Sequence, residues 1–187
     1  MSVRLDVYST VHDSRGDVTK KEFGHLVPPR RIAEVAVVDS YLIDAPMTKK
    51  ELALAGSLLA NPEIEAFTVG RHIPPTFAFA IEVGYLPGVT DNAGATARET
   101  IEDGLKRKFK PGQGVYSSRV FYITGALSRE EADGIAAGID NPLIQRVAVM
   151  SARAVKAART RAPAVPKVKI EASSSVLTVN LEIPDAE

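Results

Sequence analysis

The sequence of 187 residues contains no cysteine, no tryptophan and only three histidines. Without cysteine the chain cannot form disulfides, thiolate metal sites or iron–sulfur clusters, and it cannot use a cysteine nucleophile. Net charge is also absent, because 23 Lys and Arg residues balance 23 Asp and Glu residues. Broad electrostatic binding to nucleic acid or to an anionic membrane needs a surplus of positive charge. The composition therefore disfavours both kinds of partner.

Long apolar segments are missing as well. No run approaches the roughly 18 apolar residues of a membrane-spanning helix, and the first residues lack the continuous apolar core of a signal peptide. These absences lead us to expect a soluble, cytoplasmic protein. Apolar residues make up 45% of the chain and charged residues 25%, close to the average for globular domains. The chain can therefore build an ordinary hydrophobic core.

The chain contains an internal repeat. Residues 31–69 and 111–149 align without gaps at a spacing of 80 residues, and 7 of the 39 positions are identical. Both copies hold a capping box that predicts a helix start, Thr48 with Glu51 and Ser128 with Glu131. Both copies then reach an Asn-Pro pair that ends the helix, because proline has no N–H and disfavours a helical residue before it. The shared positions are those that define where the elements begin and end.

Each copy is predicted to fold as strand, helix, strand, helix, strand. The front halves correspond with a small shift, which aligns Asp6 with Glu82 and the turn at Asp13 with the turn at Asp91. The predicted strands are residues 3–11, 33–43 and 64–69 in the first copy and 77–85, 115–124 and 143–150 in the second. The last of these is expected to be buried from Ile144 to Val149. A unit of roughly 75 residues buries little core by itself, so the copies are expected to pack together as a pseudo-two-fold pair.

The first helix differs between the copies. In the second copy a four-residue spacing of apolar residues predicts one long helical stripe formed by Ala97, Ile101, Leu105 and Phe109. In the first copy the corresponding helix is short and ends near Gly24. We interpret this shorter helix as a diverged form of the repeat.

The second copy resembles PurS, the family of the small subunit of phosphoribosylformylglycinamidine synthase. Its members typically show a Pro-Gly-Val-x-Asp-x-x-Gly turn into a helix and an Asp-Pro-x-Ile-Gln helix stop. This sequence has the turn, and in the stop it carries asparagine, a similar turn residue, in place of the aspartate. The resemblance covers about residues 1–150, although the first copy lacks the Pro-Gly-Val turn. The candidates for structural or interface roles are Pro87, Gly88, Asp91, Gly94, Asn141, Pro142, Ile144 and Gln145.

The resemblance implies an α+β fold. Two PurS-like βαβαβ repeats, residues 1–72 and 77–150, would form a pseudo-two-fold covalent dimer, an antiparallel sheet with helices on one face. It also implies a non-catalytic role in an enzyme of de novo purine biosynthesis, a glutamine-hydrolysing, ATP-dependent ligase. The chain would bridge the glutaminase and the synthetase, so that ammonia passes between them. ATP and magnesium are then expected on the synthetase partner, with no cofactor or metal on this chain. A homo-oligomer is compatible with this role.

The sequence offers few catalytic groups. There is no Gly-x-x-x-x-Gly-Lys-Ser/Thr loop for nucleotide phosphates, and the glycines after Lys110 are interpreted as a helix-to-strand turn. The three histidines stand in turns or joints without the spacing of metal ligands. Asp6 and Glu82 are expected to face solvent, or an interface lysine or arginine, rather than to act as a general acid and base. No catalytic residue is predicted.

Residues 151–187 follow the second copy. Residues 151–170 hold six Lys or Arg and no acid, with two prolines, which is typical of a solvated linker; a basic strap that binds an acidic partner is the alternative. Residues 176–183 alternate like a strand, and they resemble the entry to a following synthetase domain.

A different class of function also fits the repeat. Paired βαβ units often bind small metabolites in the groove between them. A tandem regulatory module that binds a small molecule is therefore the alternative to the assembly role.

Overall fold

The computed structural model describes residues 2–158 and 164–167. Within them the chain forms six strands and five helices, together with a 3₁₀ turn at Pro29–Arg31. In chain order the elements are β1 (Val3–Ser9), α1 (Ser14–Phe23), β2 (Ile32–Asp44), α2 (Lys49–Leu59), β3 (Glu65–Val69), β4 (Phe79–Tyr85), α3 (Asn92–Leu105), β5 (Gly114–Gly125), α4 (Arg129–Ile139), β6 (Gln145–Ser151) and α5 (Ala152–Ala157). The strand predicted for residues 176–183 lies outside the described residues.

All six strands join one antiparallel sheet in the order β3-β1-β2-β5-β4-β6. The predicted α+β class with an antiparallel sheet is confirmed. The two longest strands, β2 and β5, lie side by side at the centre and pair along nearly their whole length. The short strands β3 and β6 lie at the two edges.

The helix limits follow from local chemistry. Thr48 and Ser128 cap α2 and α4 with the predicted capping boxes, in which each N-cap hydroxyl accepts an N–H while the glutamate three residues later binds the N-cap N–H. Helix α3 ends at Leu105, because Lys106 takes a left-handed conformation with φ 50°. The predicted helical stripe extends to Phe109 and is therefore one turn longer than the helix. That residue is nevertheless buried, since the chain folds back over the helix.

One face of the sheet is covered by α1 to α4. Two hydrophobic clusters lie between these helices and the strands, and each cluster draws residues from both sides of residue 72. The first joins Leu5 and Ile43 to Ile101 and Val115, and the second joins Phe23 and Val35 to Ile81, Ile123 and Ile135. Neither half of the chain thus encloses its own core.

The opposite face of the sheet is also covered in part. Val38, Val120 and Ala80 point to this face because they alternate with the residues of the first two clusters, and Val155 of α5 packs on them. Helix α5 lies beyond the two predicted repeats, whose own helices share the other face. Within the segment predicted as a linker, Val155 is fully buried, so this short helix packs against the sheet. Further along, Lys167 forms an ion pair with Asp44.

The buried carboxylate of Glu102 holds the segment that follows α3. It accepts hydrogen bonds from Arg98 Nε at 2.7 Å and from the N–H of Phe109 at 2.9 Å, and Lys108 Nζ lies 3.2 Å away. The hydrogen bond from Arg98, followed by that from Phe109, lowers the pKa of Glu102 to about 2. The folded chain therefore favours the ionised form of this carboxyl.

We predict that Glu102→Gln flattens the acid limb of the stability curve. The ordinary pKa is 4.5 and the folded one is about 2, so the ionised carboxylate stabilises the fold above pH 4.5 and this contribution is lost as the pH falls toward 2. Urea unfolding at pH 5, 4 and 3 measures the effect. The wild type should lose more stability over this interval than the variant. Glu99→Gln, an exposed change on the same helix, should keep the wild-type slope; equal slopes in all three proteins would contradict the assignment.

Candidate functional site

Four of the eight predicted residues lie in and after the turn from β4 into α3. Gly88 has φ 87°, a left-handed conformation that favours glycine. Asp91 caps α3, and its carboxylate accepts the N–H of Gly94 at 2.7 Å and both the N–H and hydroxyl of Ser117 on β5. A Cβ at Gly94 would lie 2.6 Å from the carbonyl oxygen of Val115. This turn fixes the start of α3 against the central strands.

The other four residues form the turn from α4 into β6. The side-chain oxygen of Asn141 accepts a hydrogen bond from the N–H of Leu143. The side-chain oxygen of Gln145 in turn accepts one from the N–H of Asn141 at 3.0 Å. The two turns are neighbours, because the N–H of Leu86 donates to the carbonyl of Ile144 at 2.9 Å. The structure thus brings the predicted set together at one end of the sheet.

Burial of Ile144 was the expectation that fails here. Strand β6 begins only at Gln145, and Ile144 is 40% exposed next to Leu143, which is 84% exposed. An alternating pattern shows which residues can share a face but does not show where pairing starts. The two side chains form an exposed apolar knuckle, a name used below for Leu143 and Ile144 together.

A cleft of about 360 Å³ opens beside these turns, between α1 and the second half of the chain. Its lining includes Phe23 and Thr19 from α1, Tyr41 and Asp39 from β2, Ser117, Arg119 and Phe121 from β5, and Tyr85, Ala93, Ile139 and Gln145. Tyr85, Ala93 and Gln145 belong to the segments that carry the family resemblance. Among the eight predicted residues, Gln145 is the one that lines the cleft.

Several polar groups of the cleft already have partners. Asp39 lies between two guanidinium groups, with Arg15 Nη1 at 2.6 Å and Arg119 Nε at 3.2 Å. Burial, with Asp39 and Glu65 nearby, raises the pKa of Tyr41. Its phenol therefore stays protonated at neutral pH and can donate a hydrogen bond. Such a cleft suits binding of a small polar ligand better than acid–base chemistry.

A second polar cluster lies on the opposite face of the sheet. Arg4 binds Asp6 at 2.7 Å and Glu82 at 2.8 Å, while Arg71 binds the other oxygen of Glu82 at 2.7 Å. Asp6 also accepts the N–H of His72 at 2.8 Å. We call Arg4, Asp6, Arg71 and Glu82 the ion cluster. It fastens the joint between the two halves to β1 and β4.

The ion cluster corrects the expectation that Asp6 and Glu82 face solvent. Asp6 is fully buried and Glu82 nearly so, so neither faces solvent; their partners are the arginines that were the alternative. Burial by itself would raise the pKa of Glu82, but Arg4 and Arg71 outweigh it and lower the pKa. Arg4 and Arg71 were not singled out in the sequence. Arg4 stands two residues before Asp6 on one strand, and that same-face spacing was the available signal.

Metal and membrane features are not found in the described part of the chain. No group of three or more His, Asp or Glu side chains there could hold a metal ion. Across residues 2–158 and 164–167, none of the helices has both the length and the apolar character to cross a bilayer.

No protein-family model matches this chain, and no match is found among curated proteins. The α+β class is thus defined by the structure itself, and the PurS resemblance remains a prediction.

Proposed function

We propose that this chain is a non-catalytic assembly module of phosphoribosylformylglycinamidine synthase in de novo purine biosynthesis. Two PurS-like repeats, residues 1–72 and 77–150, form a covalent pseudo-dimer that bridges the glutaminase and the ATP-dependent synthetase. The proposal rests on the sequence resemblance together with the equivalent strand pairing of the two halves.

The strand registers carry the proposal furthest. Asp6 pairs with Ser40 on β2 and with Thr68 on β3, while Glu82 pairs with Val120 on β5 and with Ala148 on β6. Positions 40 and 120, and positions 68 and 148, are the pairs that the 80-residue sequence alignment matches. At the centre of the sheet Asp39 pairs directly with Arg119, and these two are also separated by 80 residues. Two halves related by a pseudo-two-fold axis through this pair would have these registers.

The hydrophobic clusters are shared between the two halves of the chain, which favours a covalent dimer rather than two independent domains joined by a linker. Each of the two clusters under α1 to α4 needs residues from both halves. Such an arrangement gives a single rigid body, which is what a bridge between two enzymes requires. The apolar knuckle is an exposed feature of this body, and exposed apolar groups are common at protein interfaces.

Reconstitution tests the assembly role. The chain is combined with the glutaminase and synthetase encoded in the same genome, and glutamine-dependent and ammonia-dependent product formation are compared. We expect omission of the chain to abolish glutamine-dependent turnover and to spare ammonia-dependent turnover. If glutamine-dependent turnover is unchanged without the chain, the assembly role is wrong.

A surface variant refines the same test. Ile144→Asp places a charge on the knuckle. If the knuckle is a central contact of the interface, the variant should lower glutamine-dependent turnover about tenfold or more, which corresponds to a loss of about 1.4 kcal/mol or more. Val18→Asp, at a residue of α1 with comparable exposure, is the control and should behave like the wild type. Equal effects of both variants would remove the knuckle from the interface.

The cleft favours the tandem regulatory module as a second candidate. Its volume of about 360 Å³ falls within the usual range of small-molecule sites, and its lining comes from both halves. Two results together would support this candidate instead: a metabolite raises the stability of the chain saturably, and omission of the chain leaves synthase turnover unchanged.

A further inference from the structure

Three arginines each keep a buried guanidinium nitrogen without a hydrogen-bond partner among the described residues. They are Nη2 of Arg4 on β1, Nη1 of Arg71 in the joint, and Nε of Arg146 on β6. The Arg71 guanidinium also lies near the hydroxyl of Tyr122, which does not meet the geometry of a hydrogen bond to Nη1. A buried N–H group is costly to leave unpaired, and nearly all such groups in proteins bind protein, water or an ion. Three unpaired donors of the same type therefore require an acceptor.

The three guanidinium groups lie on one face of the sheet. Arg4 and Arg71 both bind Glu82. Arg146 pairs across the strands with Gly84, which lies two residues after Glu82 and so on the same face. A Cβ added to Gly84 would lie 3.1 Å from Arg146 Nη2 and 3.2 Å from Ser118 Cβ. The Arg146 guanidinium thus occupies the space that the absent side chain leaves, beside the ion cluster.

The charge at this place is not balanced. Three arginines face two carboxylates, those of Asp6 and Glu82, and both carboxylates already accept from Arg4. No described residue forms a salt bridge or a side-chain hydrogen bond with Arg146. The site retains contact with solvent, since the Arg4 and Arg71 side chains are 10% and 14% exposed. The three unpaired nitrogens are themselves shielded from solvent, so an anion that binds them has to enter between these side chains.

We propose that Arg4, Arg71 and Arg146 form a binding site for a tetrahedral oxyanion of the phosphate class. A carboxylate presents two oxygens in one plane and suits a single arginine fork. A phosphate group directs oxygens in several directions and can accept one N–H from each of three arginines. Ser118, whose hydroxyl donates to Glu82 at 2.9 Å, borders the site. The three arginines lie on the face opposite to α1–α4, although Gly84 and Ser118 also border the cleft, and the site does not depend on the assembly role.

Titration of the full chain with inorganic phosphate tests the site. Calorimetry and thermal unfolding at pH 7.5 are run at constant ionic strength, with sulfate, acetate and chloride as parallel arms. We expect one saturable site for phosphate, a rise in Tm that saturates with it, and acetate affinity at least about tenfold weaker. A Tm that follows ionic strength alone, with no saturation, would mean that water satisfies the three N–H groups and would overturn the proposal.

Two variants locate the binding. Arg146→Gln should weaken phosphate affinity about tenfold or more, the usual loss for one charge-assisted hydrogen bond, and should leave Tm unchanged without phosphate. Gly84→Ala retains all three arginines but displaces the Arg146 guanidinium, so it should also weaken binding. Arg153→Gln, an exposed change on α5, is the control and should bind like the wild type. Wild-type affinity in both site variants would show that phosphate binds elsewhere, as an adventitious ion only.

Discussion

Replacement of Glu82 by alanine is expected to destabilise the protein by about 3–5 kcal/mol, the usual cost of removing one partner from a buried ion pair. Glu82 accepts from Arg4, Arg71 and Ser118. Among the described residues, Glu82 is the acid that forms a salt bridge with Arg71. Without the Glu82 carboxylate, the charge of Arg71 remains unpaired in a poorly solvated position. Urea or thermal unfolding of the full chain measures the effect.

The cause can be separated from simple loss of packing by a double-mutant cycle. Arg71→Ala removes the cation that Glu82→Ala leaves unpaired, so the double variant should be destabilised by less than the sum of the two single variants. Glu99→Ala, at an exposed position of α3, is the matched control and should change stability by less than about 0.5 kcal/mol. Strict additivity in the cycle would show that the two side chains do not interact.

Gly16→Ala is expected to destabilise the protein by about 1–3 kcal/mol, the range for overpacking a close contact. Gly16 lies in α1 directly against β2, and a Cβ there would lie 2.2 Å from the carbonyl oxygen of Val35. Because the obstructing atom belongs to the backbone of a central strand, α1 must move away. This cost exceeds the gain of about 1 kcal/mol that alanine normally brings to a helix.

Gly134→Ala provides the matched comparison on α4. Nothing lies within 4 Å of a Cβ built at Gly134, so only the helix propensity changes, and stability should rise by about 0.5–1 kcal/mol. The two substitutions are chemically identical and should have opposite signs in urea unfolding at neutral pH. If Gly16→Ala is as stabilising as Gly134→Ala, α1 does not pack closely on β2.

Local signals in the sequence were sufficient for the limits of α2 and α4. The capping boxes at Thr48 and Ser128 and the stops at Asn61 and Asn141 each act over a few residues, so their chemistry is visible in the sequence and is found in the structure. The six strands could be predicted because apolar alternation and flanking turns are also local. The end of α3 was misjudged at Phe109, because a buried residue after the helix continues the helical spacing by chance.

The ion cluster could not be predicted, because it depends on contacts between residues that are separated in the sequence. Arg71 binds Glu82 across 11 residues, whereas Arg4 reaches Glu82 across 78. A sequence shows that charged residues are present but not which of them meet. The exposure of Ile144 and the burial of Val155 were missed for the same reason, since both depend on which surfaces remain uncovered once the sheet has formed.

The sequence by itself determined the absence of cysteine chemistry, the balance of charge, the internal repeat and the alternation of strands and helices. These properties follow from composition and from forces that act over a few residues. Tertiary structure alone decided the strand order, the sharing of each core by both halves, the ion cluster beneath the joint and the cleft beside α1. Each of these requires residues tens of positions apart to come into contact, and only the packing of the whole sheet selects those contacts.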